Sequence, residues 1–167
     1  MLLVAEFSQL VLVDYQARLM PAIFDSAHVL SNAMRLAQAA KLLEVPVWGT
    51  EQNPSKLGEN PQTLRSLKPP AGNARSLPKH LQKPGNTPTD RGSIVIAGCE
   101  AHVCLLQTAL HLLEDEFDVW VVTDACSSRT ERNRDAAFDR LAGAGAELVT
   151  TEMVLFEWLG SAEHPQF

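Results

Sequence analysis

The sequence predicts an α/β protein with a doubly wound, mostly parallel sheet of five to six strands and helices on both faces. Three observations carry this: short apolar runs rich in β-branched residues, amphipathic stretches between them, and mostly short connections, which imply parallel pairing through right-handed crossovers. The first run, Gln9-Leu10-Val11-Leu12-Val13, ends at Asp14, and its β-branched content suits a strand buried on both faces. Over residues 22–43 the apolar positions Ile23, Ala27, Leu30, Ala33, Met34, Ala37 and Leu43 recur at helical spacing, with Pro21 where a first turn tolerates it. Val45-Pro46-Val47-Trp48-Gly49-Thr50 reads as the second strand, its proline at the entry where a missing N–H costs least.

Between residues 53 and 90 the character changes. Seven of the ten prolines fall there and β-branched residues almost vanish, so this stretch is expected to be mostly loop, of the kind that covers a site or lacks strong structure. Order returns with Ser93-Ile94-Val95-Ile96-Ala97-Gly98, the clearest strand, and Val103, Leu106, Leu110 and Leu113 mark the buried face of the helix after it. Val119-Trp120-Val121-Val122-Thr123 is a further strand, residues 131–142 a helix, Ala146-Glu147-Leu148-Val149-Thr150 a last strand, and residues 153–159 a short terminal helix. Gly143-Ala144-Gly145 lies between helix and strand, the wrong context for a dinucleotide fingerprint. A single domain over residues 1–167 is expected.

Length and composition narrow the function. The 167 residues, 46% hydrophobic, are enough for one compact core. A formal net charge of −6, from 14 Lys+Arg against 20 Asp+Glu, leaves no basic footprint for nucleic acid. No apolar stretch approaches the ~18–20 residues that cross a bilayer, and no secretory signal is visible, so no membrane partner and a cytoplasmic location are expected. Cys99, Cys104 and Cys126 are odd in number and none pairs in C-x-x-C spacing, which predicts reduced thiols.

In open parallel sheets ligands bind beyond the carboxyl ends of the strands, where the strand order reverses. That rule selects Asp14, at the end of the first strand, and the Cys99-to-Cys104 connection after the Ile94–Ala97 strand. Cys104 is placed in a first helical turn, where unpaired amides and the positive end of the dipole lower a thiol pKa. An aspartate could take its proton, and amides of the same turn could hold an oxyanion. The same residues also fit plainer roles: Cys104 as buried packing, Asp14 as a turn cap, Cys99 as core and His102 as a hydrogen-bond donor. A Cys99/His102/Cys104 metal site lacks a fourth ligand nearby, so no metal is expected.

The segments Leu12-Val13-Asp14-Tyr15-Gln16, Pro46-Val47-Trp48-Gly49-Thr50-Glu51-Gln52-Asn53-Pro54, Ala97-Gly98-Cys99-Glu100-Ala101-His102-Val103-Cys104 and Asp124-Ala125-Cys126-Ser127-Ser128-Arg129 resemble, in order and spacing, the isochorismatase-like cysteine hydrolases. The branch of isochorismatase domain-containing proteins is the most similar, since His164-Pro165-Gln166-Phe167 also matches its ending. The resemblance implies a six-stranded parallel sheet and a cysteine–aspartate–lysine triad that hydrolyses amide or related acyl bonds of a small molecule through a thioester. It makes Cys104 the nucleophile, Asp14 its base, and the Glu100 and Cys104 amides the oxyanion hole beside a cis peptide between Cys99 and Glu100. It places Gln16, Thr50, Glu51, Gln52 and Ala101 around the substrate pocket. Asp124 and Arg129 are expected to hold their loop as an ion pair. No cofactor is implied, and a homo-oligomer is, with Met153-Val154-Leu155-Phe156 and Trp158-Leu159 as candidate contacts.

One feature departs from the resemblance. The family's lysine motif, counted back from Gly98, falls on Gly72-Asn73-Ala74-Arg75-Ser76, where only the serine matches. Lys79 is the candidate substitute and Lys68 the other; a solvated surface role fits both. The alternative function is therefore a degenerate member that binds a small molecule or a partner chain without turnover.

Overall fold

The computed structural model describes residues 2–66, 77, 81 and 90–167. Among the described residues five parallel strands form one sheet: β1 (Ser8–Val13), β2 (Val47–Thr50), β3 (Ser93–Gly98), β4 (Asp118–Val122) and β5 (Glu147–Val149), in the order β2-β1-β3-β4-β5. β1 is buried along its whole length, which is why its sequence is an apolar run without alternation. It pairs with β2 from Leu10↔Val47 to Val13↔Thr50 and with β3 from Ser8↔Ser93 to Val13↔Gly98.

From β1 the chain steps outward to β2, then returns past β1 to begin β3. Right-handed crossovers in opposite directions place helices on opposite faces. Thus α1 (Ser26–Leu42) packs beside α6 (Thr151–Leu159), and α4 (Leu106–Glu114) beside α5 (Glu131–Gly143). Leu10, Val11, Ala33, Leu36, Ile94, Ile96, Leu112 and Leu141 belong to the continuous core between them. Thr130 and Thr150 cap α5 and α6 through side-chain oxygens that accept from Asn133 and Met153 amides.

The expected strands all form, within three residues at each end. The expected helix over 22–43 starts later, because Met20–Ala22 is a separate 3-10 turn and Asp25, at φ 52°, breaks the path into α1. Within the proline-rich stretch two four-residue helices form, α2 (Pro54–Leu57) and α3 (Gln62–Arg65), too short to leave a periodic signal. Among the described residues no helix is long and apolar enough to cross a membrane.

Candidate active site

The reversal of strand order lies between β1 and β3, and both chains meet closely there. A Cβ on Gly98 would sit 2.3 Å from the Val13 carbonyl oxygen, so only glycine allows the contact. The Cys99 amide then donates to that carbonyl at 3.0 Å. Beyond this seam Asp14 leaves β1 at φ 52°, a left-handed conformation that aspartate tolerates better than most residues.

The end of β2 fixes the Asp14 carboxylate. Thr50 Oγ1 donates to its Oδ1 at 2.7 Å, while the Asp14 amide donates to the Thr50 carbonyl at 3.3 Å. The residue is 1% exposed, yet Oδ2 has no hydrogen-bond partner. Burial pushes the carboxyl pKa up and the Glu51 charge adds to the rise; Thr50, Cys104 and the Gln52 amide oppose it.

After β3 the chain passes through a cis peptide between Cys99 and Glu100, as the resemblance implied. It then winds into a turn of π-helix, Ala101–Leu105, in which the Leu105 amide reaches back five residues to the Glu100 carbonyl at 3.2 Å. Cys104 lies in this turn, half-buried, and its thiol faces Asp14. Burial first, then the nearby charge of Asp14, push the thiol up to about 12; Glu100 adds to the rise and the Glu100 amide opposes it. The expected lowering by the helix terminus is therefore reversed. Withdrawal from water beside a carboxylate outweighs what the first-turn amides contribute.

The surrounding groups form two braces. Gln16 is fully buried: its Nε2 donates to the Gly58 carbonyl and its Oε1 accepts the Gln52 amide at 2.9 Å, tying the β2 exit to α2. Glu51 accepts the Asn60 amide at 2.8 Å and lies 3.9 Å from Arg65. Gln52 is exposed, while Ala101 is buried with its amide on the Ser127 carbonyl at 2.8 Å.

The second brace joins the π turn to the loop before α5. Arg129 pairs with Glu100 at 3.1 Å, and His102 Nδ1 meets Ser128 Oγ at 2.8 Å. Asn133 Nδ2 lies 3.4 Å from His102 Nε2, so the imidazole sits between the two loops with a polar neighbour on each nitrogen. The expected ion pair between Asp124 and Arg129 does not form. Asp124 instead accepts from the amide and hydroxyl of Thr151 at 2.8 and 2.9 Å, at the start of α6. The distance between loop neighbours in sequence concealed both real partners.

Lys79 and Lys68 lie outside the described residues. Among the described residues no group of three or more His, Cys, Asp or Glu side chains is placed to hold a metal. An open depression of about 780 Å³ lies at the other end of the sheet, lined by the segments before β1 and β2 and by the end of α6, away from Asp14 and Cys104.

Comparison with known proteins gives a consistent picture. Residues 8–153 match the isochorismatase domain. Isochorismatase domain-containing protein 2 of Xenopus laevis is 40% identical over 163 residues, covering 96% of this chain and 80% of the relative. The MAR1 ribonuclease structure from Caenorhabditis elegans superposes with a TM-score of 0.88 at 30% identity, over 100% of this chain and 88% of that one. The YcaC gene product of Escherichia coli, described as an octameric hydrolase of unknown specificity, superposes with a TM-score of 0.84 at 27% identity, over 96% and 83%.

Proposed function

The chain belongs to the isochorismatase family, and on that premise we propose that it is a cysteine hydrolase of small-molecule amides or related acyl compounds. The observation that carries this reading is the juxtaposition of a buried carboxylate with an open oxygen and a half-buried thiol at the sheet's switch point. Asp14 Oδ2 takes the Cys104 proton as sulfur attacks the carbonyl carbon. The carbonyl π pair moves onto oxygen, which the Glu100 and Cys104 amides stabilise. As the C–N bond breaks, Asp14 returns the proton to the leaving nitrogen, giving an amine and a thioester. Water, deprotonated by Asp14, then adds to the thioester and releases the carboxylic acid and the free thiol. A carboxyl whose pKa is raised by burial holds a proton more readily than an exposed aspartate, which suits this two-way transfer.

Gln16, Thr50, Glu51, Gln52 and Ala101 serve this reading as the wall and its support. Glu100 has a second role through its side chain: with Arg129 it pins the turn that carries the amides. The net charge of −6 and the carboxylates Asp14, Glu51 and Glu100 disfavour a polyphosphate substrate, so the ribonuclease description of the nematode relative is not carried over. A cytoplasmic homo-oligomer is part of the same proposal. The octameric relative supports it, as do Met153 and Phe156, which stay exposed on α6 while Val154 and Trp158 of that helix are buried. Light scattering at micromolar concentration should give a species larger than the monomer.

The test is hydrolysis of a panel of small primary amides, with trapping of the acyl-enzyme by mass spectrometry. Cys104→Ala should abolish both. Turnover that survives Cys104→Ala overturns the assignment. Specific binding without turnover or acyl-enzyme in the wild type favours the degenerate reading, which is supported by the family's lysine motif not standing at its expected position, Gly72-Asn73-Ala74-Arg75-Ser76.

A further inference from the structure

The segment between β2 and α3 is laced to the chain that follows Asp14. Gln16 holds both the Gln52 amide and the Gly58 carbonyl, while the Ala17 amide donates to the Glu59 carbonyl at 3.0 Å and the Arg18 amide to the Leu57 carbonyl at 2.9 Å. Asn60 closes this loop. It is buried, its backbone amide donates to Glu51 Oε1 at 2.8 Å, and its side-chain Nδ2 donates to the Thr50 carbonyl at 3.0 Å. The same carbonyl accepts the Asp14 amide at 3.3 Å, and the Thr50 hydroxyl donates to Asp14 Oδ1 at 2.7 Å. Thr50 thus joins Asn60 on one side to the backbone and the carboxylate of Asp14 on the other. Deepening the hydrolase reading, on which this rests, we infer that Asn60 is a positioning residue for the reaction: through the Thr50 peptide it sets the orientation of the Asp14 carboxylate against the Cys104 thiol.

The end of β2 needs such an anchor. β2 is the outermost strand of the described sheet and only four residues long, and the end of an edge strand frays unless something holds it. Asp14 has turned out of β1 at φ 52°, where the β1–β2 ladder ends. Fixing Oδ1 fixes the plane of the carboxylate, and with it the place of Oδ2, the oxygen that exchanges the proton. A reacting group misplaced by about 1 Å can lose about a hundredfold in rate, so a bond that removes this freedom matters to the chemistry. The Thr50 hydrogen bond also favours the ionised carboxyl against the effect of burial, so loosening it lifts the Asp14 titration further.

The test follows the Asp14 carboxyl by 13C NMR in protein labelled at the aspartate carboxyls, its signal identified by loss in Asp14→Asn. Thr50→Val removes the hydroxyl and should move the Asp14 midpoint up by about half a pH unit or more. Asn60→Ala keeps the backbone bond to Glu51 and removes only the bond to Thr50. It should move the midpoint in the same direction and lower kcat for amides about fivefold, with KM within about twofold of wild type. The double variant Thr50→Val/Asn60→Ala should match Thr50→Val alone, because Asn60 acts through that residue. Asn60→Leu, close to asparagine in size and without a donor, carries the test if Asn60→Ala does not fold. A lower Tm in Asn60→Ala with the midpoint and kcat of wild type overturns the inference and leaves Asn60 a loop brace. Additive effects in the double variant overturn it as well, since Asn60 then reaches the site by another route. No amide turnover in the wild type, with the midpoint shifts coupled as described, removes the hydrolase reading and leaves the hold of Asn60 on Asp14 standing.

Discussion

The two ends of β1 bury polar side chains to the same depth and treat them in opposite ways. At the amino end Ser8 and Gln9 are both fully buried and fully engaged. Ser8 Oγ donates to the Val4 carbonyl at 2.7 Å and accepts Trp158 Nε1 at 3.0 Å; Gln9 Nε2 donates to the Arg91 carbonyl at 2.8 Å and Oε1 accepts Trp48 Nε1 at 3.2 Å. Just past the carboxyl end, six residues after Ser8, Asp14 keeps one oxygen unpartnered beside a thiol. A closed polar network ties the amino end of the sheet to α6 and to the chain before β3. The open one stores interaction energy that a ligand can collect.

The largest effect expected from breaking this contrast is at Asp14. Asp14→Asn should lower amide turnover by about a thousandfold, or about 4 kcal/mol in activation free energy. Yet it should raise stability at pH 7 by about 1 kcal/mol. The native carboxyl pKa is raised by burial, so the folded state loses stability as pH climbs past the ordinary carboxylate range, and a neutral amide escapes that loss. Urea unfolding at pH 7 and pH 4 checks the sign: the variant's advantage should shrink at the lower pH.

Gly98→Ala tests the seam between the two ends. A methyl group 2.3 Å from the Val13 oxygen forces the strands apart, and a loss of about 3 kcal/mol is expected in chemical denaturation. Ser8→Ala should cost about 2 kcal/mol by leaving buried Trp158 Nε1 without an acceptor, with kcat/KM per folded molecule unchanged. The smallest effect is alkaline. Cys104, at about 12 when folded, stabilises the fold below the ordinary thiol value of ~8.5, and that contribution is lost as pH rises toward 12. Cys104→Ala should therefore show a shallower decline of Tm between pH 9 and 11; Cys99 and Cys126, also raised by burial, keep the decline from vanishing.

Strands buried on both faces are apolar runs, which made β1 and β3 the plainest to read from residue order; β2 and the largely exposed β5 were read from their β-branched residues and their place between helices. The switch-point rule then picked out Asp14 and the Cys99–Cys104 connection, because parallel pairing with short crossovers leaves few other places for a site. The resemblance supplied the cis bond. What stayed hidden depends on three-dimensional company. The partners of Arg129 and Asp124 lie 29 and 27 positions away, and the His102–Ser128–Asn133 brace joins two loops that no local pattern connects. The direction of the Cys104 shift was misjudged because a first-turn position is visible in sequence, whereas the depth of the sulfur and the carboxylate facing it are not.

The widened turn at Ala101–Leu105 has a consequence for any reshaping of this region. An ordinary helix advances roughly 100° about its axis for each residue. Removing the one surplus residue that the wide turn accommodates would swing the sulfur by about that angle and carry it off the carboxylate, with every core contact of α4 kept. Chemistry at this crevice thus hinges on an angular offset that a single deletion erases, and a chain so trimmed would be a folded, inert scaffold.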